Sequence, residues 1–365
     1  MNRKQDQIRG CLWGSAAGDA LGYCVGEMTL AEIRERFGPE GLRGYDTING
    51  LAPISSHTQM AMYTANGLLF GATRGALRGV MAPYVQYLWA FYLDWLKTQH
   101  RTAARNRPFA WLNCIDELHA RRSPDPATVY ALERGYPGTM DEAVNRARGP
   151  AGLTRCPPIG LFLDPKTTRR EETVLLGAES AALTQGDALG FLPAAMLTDL
   201  LSRIVYDPPE SFRGTLAKSC QAMERQFLGR FSQTGAMLEQ IKLAHRLARE
   251  EMPATQALEK LNPTDAPSVL AGACYVCLRF PGDFDRGLVA AVNHSGASAA
   301  VGAVAGAILG AQVGAEGIPE FYLEPLELRE IIGELADDLF QGCPMSRNAK
   351  LFDDLWDEKY IQRTH

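Results

Sequence analysis

Gly302, Gly306 and Gly310 recur every four residues among alanines and valines over 299–313, and this spacing constrains the chain more than any other feature. A four-residue repeat returns to nearly the same side of an α-helix, so the run predicts a helix with one face stripped of side chains. In a longer, more apolar segment the same spacing would signal a membrane dimer. Here it predicts close approach of two buried helices, a packing that must offset the entropic cost of the glycines. Residues 7–21 also mix apolar and small side chains at helical spacing and stop at Gly22, which predicts a tightly packed first helix.

The rest of the chain reads the same way. Thr29 predicts a helix cap, with Glu32 closing a capping box before the turn at Phe37-Gly-Pro-Glu-Gly41. Helical periodicity covers 58–69, 80–96, 113–119, 140–147, 180–183, 189–206, 216–247, 269–278, 286–293 and 326–339. Strand signal is weak throughout, so the expectation is an all-α, compact multi-helix protein. Alanine, leucine and glycine are spread evenly, which favours a single domain over 1–365. The polar loops near Ser56, Ala151, Gln185 and Gly296 are the places to look for chemistry.

The net charge of -5 lacks the basic footprint of nucleic-acid binding. The short run Arg101, Arg105, Arg107 reads as a solvated loop. No uninterrupted apolar stretch reaches the roughly 20 residues of a membrane span, and no leader pattern opens the chain, so a cytoplasmic location is expected. The eight cysteines lie in helical or apolar runs, consistent with reduced thiols. Cys274-Tyr-Val-Cys277 is a lone CxxC, and the aromatics at 84–95 have the helical distribution of packing residues.

Six ordered segments carry a family resemblance. They are Gly14-Ser-Ala-Ala-Gly-Asp-Ala-Leu-Gly22, Glu32-Ile-Arg-Glu-Arg-Phe-Gly-Pro-Glu-Gly41, Ser56-His-Thr-Gln-Met60, Arg155-Cys-Pro-Pro-Ile-Gly160, Ala182-Leu-Thr-Gln-Gly186 and Asn293-His-Ser-Gly296. Together they resemble the ADP-ribosylglycohydrolases over nearly the whole chain, which implies that family's orthogonal bundle of helices. The resemblance also implies a pair of magnesium ions held by aspartates in two distant segments, because hard dications side by side need several carboxylates.

At those positions this chain departs. Ser55 keeps the hydroxyl of the first motif, while Ser56 and His57 replace its two aspartates; Ala297 and Ala299 replace the aspartates of the second motif, with Ala300 at the neighbouring hydroxyl. Direct counting puts Gly26, with Glu27 beside it, at the acid that follows the first helix. Thr184-Gln185 replaces a threonine-histidine pair.

The reading is therefore a pseudoenzyme that lacks the magnesium pair and binds ADP-ribose, an ADP-ribosylated protein or a related nucleotide. Its expected ligand-binding residues are Ser55, Ser56, His57, Thr58, Gly152, Arg155, Asn293, His294, Gly296 and Ser298. No cofactor is expected, and magnesium belongs only to a surviving family mechanism. One alternative is a hydrolase with metal-poor chemistry, for which Glu27 and His57 are the catalytic candidates. Another is an interaction scaffold whose old cleft is filled or covered, with an exposed helical surface used for self-association or for a partner. Asp19 reads as mainly structural, and His57 with His294 are too few for a zinc site.

Overall fold

The computed structural model describes residues 2–26, 28–100 and 107–362. Among them the regular structure is helical, and β pairing is confined to isolated bridges joining Ile48 to Leu51 and Ala52 to Leu326. In chain order the helices are α1 (Arg3–Tyr23), α2 (Leu30–Phe37), α3 (Ser56–Arg78), α4 (Tyr84–His100), α5 (Pro126–Glu133), α6 (Ala151–Thr154), α7 (Pro157–Phe162), α8 (Arg170–Ala182) and α9 (Ala188–Tyr206). There follow α10 (Phe212–Phe227), α11 (Gln233–Leu247), α12 (Ala254–Leu261), α13 (Ala266–Arg279), α14 (Phe284–Val292), α15 (Ser298–Val313), α16 (Glu320–Leu323), α17 (Arg329–Gln341) and α18 (Asp354–Asp357). The capping box at Thr29 and Glu32 is present, with each side chain accepting the other's backbone amide.

The glycine run finds its partner within the chain. α1 and α15 lie antiparallel, with Gly10 facing Gly310, Gly14 facing Gly306 and Gly18 facing Gly302. A Cβ on Gly22 would sit 2.5 Å from the Ser298 carbonyl oxygen, and one on Gly10, Gly14 or Gly18 would sit nearer still to the oxygen opposite. Backbone therefore touches backbone along four turns. Both helices are buried on most sides, which explains why neither is amphipathic. The register sets the C-terminal end of α1 beside the N-terminal end of α15, and this junction positions the site described below.

Several expectations need correction. Residues 140–147 are bends and irregular backbone rather than a helix. Asn145 organises them by accepting from the Ala147 and Gly186 amides and donating to the Thr184 carbonyl. The stretch 216–247 is two helices, α10 and α11, parted near Gly229, a break that apolar spacing does not register. Residues 113–119 fall within short 3-10 turns.

α9 is long and apolar enough to cross a membrane by length and composition, although Asp199 and Arg203 interrupt its apolar run. It is 83% buried over that window and carries Asp199 bonded to Arg203 at 2.6 Å. A core helix satisfies the same criterion. All eight cysteines are free, with Cys274 and Cys277 buried in α13. Burial pushes both of those thiols up, so they behave as small apolar groups. Phe91, Tyr92 and Trp95 of α4 are core residues. Arg101 and Arg105 lie outside the described residues.

Candidate functional site

An open cleft of about 520 Å³ lies where α1, α3 and α15 meet. Tyr23, Cys24 and Gly26 line it from the end of α1, Ser55 and His57 from the start of α3, and Ala297, Ala299 and Ala300 from the start of α15. Met28, Arg36 and Ser123 complete the lining. Its volume falls in the range of small-molecule sites. The cleft is not filled by bulky side chains, so a scaffold with a filled cleft is not what this chain forms.

Beneath it, the wholly buried Asp19 carboxylate is saturated. One oxygen accepts from Ser55 Oγ at 2.5 Å; the other accepts from the Ser55 amide at 2.9 Å, the Thr58 amide at 3.2 Å and Thr58 Oγ1 at 2.6 Å. Ser55 also caps α3 by accepting from the His57 amide. A carboxylate here meets the unsatisfied amides and the positive end of the helix dipole together, so Asp19 stabilises the first turn of α3.

Ser56 turns away from the cleft. Its amide donates to the Arg122 carbonyl at 2.9 Å and its hydroxyl to the Ser123 carbonyl at 3.0 Å. Those two bonds hold Ser123 at φ 48°, a left-handed conformation unusual outside glycine. Ser123 Oγ then lies 3.4 Å from the Tyr23 hydroxyl. His57 is anchored from below, with Nδ1 2.8 Å from the hydroxyl of buried Thr154.

The sequence matches the family model of the ADP-ribosylglycohydrolases over residues 1–349. The chain belongs to that family. A solved structure of an ADP-ribosylglycohydrolase-related protein complex superposes with a TM-score of 0.64 at 24% identity, covering 93% of this chain and 99% of the other. At that identity the likeness speaks for the fold. Comparison with curated proteins found no match.

Within this family scaffold, the two motif segments do converge on one cleft, but not all the residues expected there do so. Arg155 is wholly buried: it donates to the Ser180 carbonyl at 2.6 Å and lies 4.3 Å from the centre of the Tyr92 ring. The expectation of a ligand-binding Arg155 is corrected, because the side chain is wholly buried away from the cleft lining, with Nη2 on core carbonyls and the guanidinium against a ring face while Nε and Nη1 have no hydrogen-bond partner among the described residues.

His294 is also buried and absent from the cleft lining, with Nε2 on the Ala291 carbonyl at 3.0 Å. Burial pushes its pKa down to about 4, against smaller opposing effects of the Ala291 carbonyl and Glu259. Asn293 ties both the amide and the carbonyl of Leu42, each at 2.8 Å, and Ser298 Oγ donates to the His294 carbonyl. Gly152 packs on Ala181, and Gly296 packs on the Pro263 carbonyl. Thr58 serves Asp19, and Gln185 donates to Asp125 at 2.9 Å. Glu27 lies outside the described residues.

This lining does not fit a magnesium pair. Ser55 Oγ is bonded to Asp19, alanine methyls occupy the second motif, and no carboxylate is among the lining residues described. Among the described residues, no group of three or more histidine, cysteine, aspartate or glutamate side chains is placed to hold a metal. Sequence reasoning missed Tyr23, Arg36 and Ser123: Arg36 stands inside the Glu32–Gly41 segment without being singled out there, Tyr23 and Ser123 belong to no motif, and tertiary packing brings all three to the cleft.

Proposed function

We propose that this ADP-ribosylglycohydrolase family member binds ADP-ribose or a related nucleotide ligand in the cleft without hydrolysing it. One observation carries the reading: the two segments where the family pattern places metal-binding aspartates meet in an open cleft, and there they present Ser55, His57, Ala297, Ala299 and Ala300. A ligand-sized space with its carboxylates removed favours binding over magnesium-assisted attack of water. Tyr23 and Met28 offer apolar surface, while Ser123 and His57 offer hydrogen-bonding groups.

Calorimetric titration of the metal-stripped protein with ADP-ribose, with and without magnesium, tests this reading when paired with a hydrolysis assay on an ADP-ribosylated protein. The expected result is binding indifferent to magnesium and no turnover. Magnesium-dependent turnover would overturn it.

A second reading rests on the His57 ring, which Thr154 anchors at the cleft wall. In that reading the imidazole activates water without a metal. It expects turnover that survives a chelator and is lost in His57→Ala.

A further inference from the structure

The cleft has a neighbour. A second cavity of about 500 Å³ is formed by the turn that follows α2, lined by Phe37, Glu40, Arg43, Tyr45 and Asp46 among others. Arg36, the last-turn residue of α2 that lines the first cavity, forms an ion pair with Asp46, which lines the second. The pair is therefore a shared wall between two spaces of similar size.

This wall is inexpensive to open. The two side chains are 54% and 42% exposed, and ion pairs so exposed contribute little to stability. The guanidinium also lies 5.0 Å from the centre of the Phe37 ring, a contact that does not depend on Asp46 and keeps Arg36 in place when its partner changes. Among the described lining residues of the first cavity, Arg36 is the one arginine or lysine. Its planar fork matches two phosphate oxygens as well as it matches a carboxylate, and a diphosphate carries the greater negative charge. The second cavity sets Arg43 beside Glu40 and Asp46, so it offers no excess positive charge and suits a neutral sugar or base.

We propose that Arg36 is the anion-binding residue of this site: it exchanges Asp46 for the phosphates of a nucleoside-diphosphate ligand that lies across both cavities. The proposal rests on the nucleotide reading above, and nucleoside diphosphates are its ligand class. Asp46 acts as an internal competitor, a positioning residue that holds Arg36 at the wall until a ligand arrives.

The test is calorimetric titration of the full chain and its Arg36→Gln and Asp46→Asn variants with ADP-ribose, ADP and adenosine at low salt. Both diphosphates are expected to bind, with adenosine at least about tenfold weaker. Arg36→Gln is expected to weaken diphosphate binding about tenfold, whereas Asp46→Asn strengthens it about twofold to fivefold. The opposite signs are decisive, because a pair that merely supported the fold would make both variants weaker. Equal affinity in all three proteins would overturn the role of Arg36 and leave ADP-ribose binding intact. Arg36-dependent binding of ADP without binding of ADP-ribose would sink the ADP-ribose reading and support this one. Failure of both diphosphates to bind would end both.

Discussion

Gly18 and Asp19 are chain neighbours that serve two opposite kinds of packing. On one side of α1, Gly18 and the other seam glycines let the backbone meet that of α15 with nothing between. On the other, Asp19 gathers four donors from the start of α3 around one carboxylate. The seam tolerates no added atom, and the cluster tolerates no lost acceptor. The cleft is thus held by backbone contact along α15 and by hydrogen bonding along α3, so the two walls should fail in different ways.

The largest effect is expected on the seam. Gly18→Val should cost about 4 kcal/mol or more, because the clash is with backbone that cannot rotate aside. Urea unfolding measures it, and a cost below about 1 kcal/mol would mean the helices separate easily. Asp19→Ala should cost about 3 kcal/mol by leaving buried donors unpaired. A near-neutral result in the same assay would show that the α3 cap stands without it.

His294, just before α15, gives the comparison a pH dependence. Its pKa is about 4 in the fold against an ordinary 6.5, so the unfolded chain binds the extra proton between those values. The stabilisation is complete above about pH 6.5 and is lost as pH falls towards 4, by up to about 3 kcal/mol. His294→Gln, whose amide can still donate to the Ala291 carbonyl, should flatten that part of the acid limb. An unchanged limb would assign it to other groups.

The smaller effect belongs to Ser56→Asp, expected to cost about 2 kcal/mol because a carboxylate has no hydrogen for the Ser123 carbonyl. Magnesium should not raise the melting temperature of this variant, since Ser56 points to the Ser123 loop rather than into the cleft. A magnesium-dependent rise would show that the loop yields and that part of the metal site returns.

Much of the helical framework was legible in the sequence because burial writes itself locally. The four-residue glycine spacing, the Thr29–Glu32 box and the apolar run of α9 are each decided within a few turns. What misled the reading was also local: 140–147 has helical spacing, but Asn145 uses its side chain to hold a turn. That Ser56, His57, Ala297 and Ala299 carry no carboxylate was equally plain from residue types alone.

The side of the wall on which each polar group would fall was not legible. Arg155 and His294 stand in family-like segments and look like ligands in one dimension, yet the fold desolvates both and pairs them with carbonyls. Tyr23, Asp46 and Ser123 carry no motif, Arg36 stands unmarked within one, and only packing sets the four around the two cavities. Most of the helices and the family could be read along the chain, since they depend on periodicity and side-chain chemistry. Which polar groups face the cleft and which are buried came from the folded molecule, because that depends on contacts between residues far apart in the chain, such as Leu42 with Asn293.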